Sequence, residues 1–247
     1  MAPQVLENAA DVISYLANLQ GFSLPRIEGV SSPPAGKINF VYRVNLARRE
    51  NARPEGEESP RRSLILKHAP PYAVDFPEMP LDTKRCAYEA HALREVQSTK
   101  LGNVEVRVPT LLFHDMEASV LLMEDINPPS ATSSSPPTLL SACFEQNEAT
   151  VAEGGYVGIG EALGSWLYSL HQMGRGRDEA RLRTLFEGHA EARKINAWWS
   201  FGSVLENLVT LHAEISDQDH ETLKMKMKEM EVELAASKET LTMGDFR

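Results

Sequence analysis

The apolar positions of this chain change period several times, and each change predicts an element. Val5, Leu6, Ala9, Val12, Ile13, Leu16 and Leu19 recur every three or four residues, which predicts an amphipathic helix closing near Gly21. Segments 38–44 (INFVYRV) and 63–67 (SLILK) have the composition of strands. The charged stretch 47–62 between them holds Pro54, Gly56 and Pro60, which predicts an exposed hairpin loop. A helix is predicted over 82–96, and strands over 108–113 and 120–123. At 127–137 the sequence becomes NPPSATSSSPP, which cannot bury a core face and reads as a linker or exposed loop. Beyond it the patterns are helical over 158–173, 180–186, 190–211 and 220–236. In the last of these, acids and bases alternate around Met225, Met227 and Met230. A solvated helix with a methionine-filled inner edge is favoured over a partner-binding methionine stripe. The expected class is α+β: a β-rich part over 1–126, the linker at 127–137, and a mostly helical part over 138–247.

Bulk properties narrow the chemistry. The 247 residues are 42% hydrophobic and suffice for one large domain or two lobes. A net charge of −10 argues against a general nucleic-acid binder, which needs clustered Lys and Arg, but leaves room for a nucleotide held by a few local cations. Cys86 and Cys143 are too few for a disulfide framework. The first residues lack the basic and apolar regions of a signal peptide, and no stretch approaches a membrane span, so a cytoplasmic protein with no membrane partner is expected.

Several residues are candidates for phosphate chemistry. Gly36 and Lys37 lie in a proline-flanked turn before the first convincing strand, where a missing side chain lets backbone N–H groups approach a phosphate. Taken alone, such a glycine reads as an ordinary turn. Lys67 closes an apolar strand, where its ammonium either snorkels to solvent or meets phosphates as a point charge. Glu89 shares a predicted helix face with Cys86, Leu93 and Val96, and a carboxylate in an apolar stripe needs a partner. Lys67 is the natural one. The strand 120–123 runs into Met123-Glu124-Asp125-Ile126 just before the linker. Asp245 follows Gly244 at the end of an apolar run and reads either as a turn aspartate or as a carboxylate that orients a hydroxyl nucleophile. The seven histidines form no HExxH or Cys/His spacing, so no zinc site is expected.

Together these residues resemble the aminoglycoside phosphotransferase and choline-kinase-like superfamily of small-molecule kinases. The resemblance runs from about Gly36 to Asp245 and rests on Asn39-Phe40-Val41-Tyr42-Arg43-Val44, Lys67 with Glu89, Leu122-Met123-Glu124-Asp125, and the 163–171 segment LGSWLYSLH. Lys67-His68-Ala69-Pro70-Pro71-Tyr72 and Arg85-Cys86-Ala87-Tyr88-Glu89-Ala90 are similar to methylthioribose kinase. The resemblance implies a protein-kinase-like bilobal fold and transfer of a phosphoryl group from ATP, with Mg2+, to a small-molecule hydroxyl acceptor. It also implies site roles: Gly36, Lys37 and Asn39 over the phosphates, Lys67 on them with Glu89 as tether, main chain near Met123, Glu124 and Ile126 at adenine, and Asp245 as base. The family pattern continues after the base with an asparagine and an acidic residue that hold magnesium. Those positions fall beyond Arg247, so an incomplete helical lobe and impaired transfer are expected, with a non-catalytic nucleotide-binding or interaction module as the alternative.

Overall fold

The computed structural model describes residues 5–32, 38–47, 62–99, 106–126, 155–173, 179–197 and 216–236. The linker 127–137, most of the loop 47–62 and the 198–211 part of an expected helix lie outside them.

Strands β1 (Ile27–Ser31), β2 (Phe40–Leu46), β3 (Arg62–His68), β6 (Leu111–Asp115) and β7 (Val120–Glu124) form one antiparallel sheet in the order β1-β2-β3-β7-β6. A two-stranded hairpin, β4 (Tyr72–Ala73) and β5 (Phe76–Pro80), follows β3. The chain is therefore α+β, and its sheet is compatible with a kinase-like fold.

The sheet is covered by one helix on each face. Helix α1 (Ala9–Ala17) lays Val12 and Leu16 against Tyr42, Val44, Leu46, Leu66, Val120 and Leu122. Helix α2 (Arg85–Thr99) lays Cys86, Ala90 and Leu93 against Ile65, Leu121 and Met123 on the other face. Neighbouring residues on β3 and β7 thus meet different helices, which explains their unbroken apolar runs. A slip of one residue would exchange the two sets, so the register is strongly specified.

Element limits differ from the sequence expectation for identifiable reasons. Residues 5–7 precede α1 in non-helical backbone because Asn8 caps it: its side chain accepts from the N–H groups of Ala10 and Asp11 at 2.9 and 3.1 Å. Leu6 is still core, and its carbonyl accepts from the buried Tyr42 hydroxyl at 2.9 Å. Strand β6 starts at Leu111 rather than near Val108, since Pro109 has no N–H to donate. Helix α2 continues to Thr99, where the Ser98 and Thr99 hydroxyls bond back to the Glu95 carbonyl.

Four further helices are described: α3 (Gly155–Met173), α4 (Glu179–Glu187), α5 (Ala190–Ala197) and α6 (Asp217–Ala236). On α3, Ala162, Trp166 and Leu170 form a buried stripe at four-residue spacing. Helix α5 packs against α6. Of the three α6 methionines only Met227 is half-buried, while Met225 and Met230 are 61% and 46% exposed. The expected methionine-filled inner edge is thus confined to Met227, with His220 and Leu223 at helical spacing beside it. The chain divides into two compact units, Met1–Trp166 and Leu167–Phe246. Among the described residues no helix is long and apolar enough to cross a membrane.

Candidate functional site

Lys67 and Glu89 meet. The Lys67 ammonium donates to both Glu89 carboxylate oxygens at 2.7 Å. Lys67 lies across from Val41 on β2 and Leu121 on β7, so it points to the face that α2 covers. Glu89 stands at the edge of the Cys86, Ala90 and Leu93 stripe, turned toward β3. The pair is only partly buried, with side chains 24% and 35% exposed. Beside it the α2 side of β2 stays half-open: Val41 and Arg43 are partly accessible, while Tyr42, Val44 and Leu46 on the other side are buried. Val41, Arg43, Ile65 and Lys67 are thus partly accessible on this side of the sheet, while Met123 is buried beneath α2.

A second cation stands nearby. Arg85 lies one helical turn before Glu89, which places both on one side of α2. Its Nε donates to the Asn39 side-chain oxygen at 3.3 Å, and its terminal nitrogens donate to the carbonyls of Asp82 and Pro70. Asn39 thus meets α2 through its side chain, where β2 begins. Gly36, Lys37 and Asp245 lie outside the described residues.

The end of β7 is held from both sides. Met123 shares the Lys67 face. Glu124 is tied toward β6: its N–H donates to the Thr110 carbonyl at 2.8 Å, and its carboxylate accepts from Thr110 Oγ1 at 2.8 Å and Arg107 at 2.9 Å. Those bonds, led by the Thr110 hydroxyl, hold the Glu124 carboxyl below its ordinary pKa. Asp125 is tied the other way, accepting from Ser63 Oγ at 2.6 Å and from Arg43 Nε at 2.7 Å. Ile126 follows, partly exposed.

Sequence reasoning did not single out the cluster of Arg43, Ser63 and Asp125. Its signal was an arginine inside an otherwise apolar strand, in Phe40-Val41-Tyr42-Arg43-Val44. Burial, then the Glu89 carboxylate, push the Cys86 thiol up to about 12, so it is an inert core group beside the site. Among the described residues no three His, Cys, Asp or Glu side chains gather as a metal site. An open cleft of about 480 Å³ between α1 and the β6–β7 turn contains none of the candidate residues.

No family model matches the chain. It is 27% identical over 245 residues, 98% of its length, to a protein of Psilocybe cyanescens named 4-hydroxytryptamine kinase, and 26% identical over 245 residues to the protein of that name from Psilocybe cubensis. It is 29% identical over 184 residues, 69% of its length, to the phosphotransferase FrzJ of a Cladobotryum species. The relatives are kinases and phosphotransferases. The chain spans 61% of the length of either Psilocybe protein and 43% of that of FrzJ.

Proposed function

We propose that this chain carries the nucleotide site of an ATP-dependent small-molecule kinase, working in the cytoplasm on a hydroxyl acceptor. The Lys67–Glu89 pair carries the reading. An ammonium fixed by both oxygens of one carboxylate, at the rim of a half-open apolar strip, is a preset positive charge for phosphate oxygens. The kinase and phosphotransferase relatives support the same reaction class.

In this reading Lys67 holds the phosphates, and Glu89 fixes the lysine at the strand end. The segment of Gly36 and Lys37, before Asn39, covers the phosphates, with Arg85 holding Asn39 to α2. Main chain from Glu124 to Ile126 meets adenine, with Ile65 and Met123 as apolar wall. ATP supplies the transferred phosphoryl group. The acceptor oxygen bonds to phosphorus as the bond to the ADP oxygen breaks, and Asp245 takes the hydroxyl proton. The resemblance to a kinase of bilobal form assigns Asp245 that role. A phenolic hydroxyl on an indole amine is the first acceptor to try, because two relatives are named for such a substrate; a methylthioribose-type sugar hydroxyl is the second.

The test measures ATP binding and transfer of labelled γ-phosphoryl from MgATP to 4-hydroxytryptamine and methylthioribose together. The expected result is ATP binding with impaired, slow transfer to one acceptor, the residual transfer being lost in Asp245→Asn while binding stays. Binding without transfer to any hydroxyl would leave a nucleotide-binding module in place of a kinase.

A further inference from the structure

Glu124 and Asp125 are consecutive acids anchored in opposite directions, and they stand where the chain leaves the sheet. Glu124 is bound to Arg107 and Thr110 before β6. Asp125 is bound to Arg43 on β2 and Ser63 on β3. The Asp125 side chain is 3% exposed. Burying a carboxylate is costly, and an apolar side chain of similar volume would serve folding as well or better. The pair is therefore weak evidence of stabilisation and is open to a positional use.

Its geometry supplies one. Arg43, Ile65 and Met123 lie side by side across β2, β3 and β7, and Val41, Lys67 and Leu121 form the parallel row two residues along. At about 3.4 Å per residue the rows are roughly 7 Å apart on one face. With its phosphates at Lys67 and its base at the Glu124–Ile126 main chain, as in the reading above, a nucleotide would run from the Lys67 row toward the Arg43 row, beside the main chain that Asp125 ties down. We propose that Arg43, Ser63 and Asp125 form a positioning cluster for the base end of the nucleotide. Asp125 fixes the main chain after β7, and Arg43 and Ser63 fix Asp125 to the strands that carry the phosphate-binding lysine. These are positioning residues; the inference rests on the nucleotide reading above.

The experiment compares adenosine and ATP affinity by calorimetry in the wild-type chain, Asp125→Asn, Arg43→Leu, Arg43→Lys, Ser63→Ala and Lys67→Met, with a thermal melt for each. Asp125→Asn and Arg43→Leu are expected to weaken adenosine and ATP by the same factor, about tenfold. Ser63→Ala should weaken both about threefold, and Arg43→Lys should regain part of the Arg43→Leu loss. Lys67→Met should weaken ATP alone. If Asp125→Asn does not fold, Ser63→Ala and Arg43→Lys carry the comparison. Adenosine affinities within twofold of wild type in folded variants overturn the proposal, as does a loss seen for ATP but not adenosine. A wild-type chain that binds neither ligand overturns the nucleotide reading itself, and this is known before any variant is compared.

Discussion

The contact between Lys67 and Glu89 contributes little to folding. Partly exposed ion pairs contribute about 0–1 kcal/mol, and this one is a quarter to a third exposed. Glu89→Gln should therefore change the unfolding free energy from urea titration by less than about 1 kcal/mol while weakening ATP binding several-fold, because the lysine loses its fixed position. A large stability loss with ATP affinity intact would make the pair a folding device. Cys86 gives a second residue-scale outcome. With its thiol held up to about 12 by burial, it should resist alkylation at pH 8 in the native chain and react once urea unfolds it. Rapid labelling of the Cys86 peptide without denaturant would contradict the described core.

Among the elements, α1 depends on its cap more than on length. It has nine residues, too few to persist alone, and is tied to the sheet by Tyr15 donating to Asp115 at 2.8 Å and by Tyr42 reaching back to Leu6. Asn8→Ala should cost about 1 kcal/mol, read as a lower urea midpoint with unchanged slope; an unchanged midpoint would show that packing alone holds the helix. Strands β3 and β7 were legible in the sequence because a helix packs on either face, leaving Leu64-Ile65-Leu66 and Val120-Leu121-Leu122-Met123 uninterrupted by polar residues. Strand β1 was not. It is an edge strand with Glu28 and Gly29 inside it and an irregular register against β2, so neither alternation nor propensity marks it. The same contrast holds at the site. Glu89 in an apolar stripe demanded a partner, and one lysine lay a short loop away. The bonds of Arg85 run to carbonyls and the partners of Asp125 come from two strands, and those pairings depend on register.

At the scale of the whole molecule, acid should loosen the fold in a defined window. His68 ends β3 beside Lys67, its Nδ1–H donating to the Ala118 carbonyl at 3.1 Å, and burial lowers its pKa below the ordinary 6.5. His114 is lowered too, by burial first and then by Arg94. A lowered folded-state value means the unfolded chain binds more protons below about pH 6.5. Their stabilisation is full above that value and is lost as pH falls through the folded values. The urea midpoint should drop between about pH 7 and 5, with a shallower slope in His68→Phe. A flat profile would contradict the buried neutral imidazole.

The molecule is also acidic overall, at −10, yet gathers Lys67, Arg85 and Arg43 along one side of the sheet. Two of these cations are held by carboxylates, Arg43 by Asp125 and Lys67 by Glu89, so a nucleotide would meet positioned rather than surplus positive charge. The most direct measurement is calorimetric titration of ATP into the wild-type chain and into Lys67→Met. Saturable binding to the wild type, weakened at least tenfold in a Lys67→Met chain that melts at the same temperature, is the expected result. Equal ATP affinity in the two chains would contradict the account at its centre.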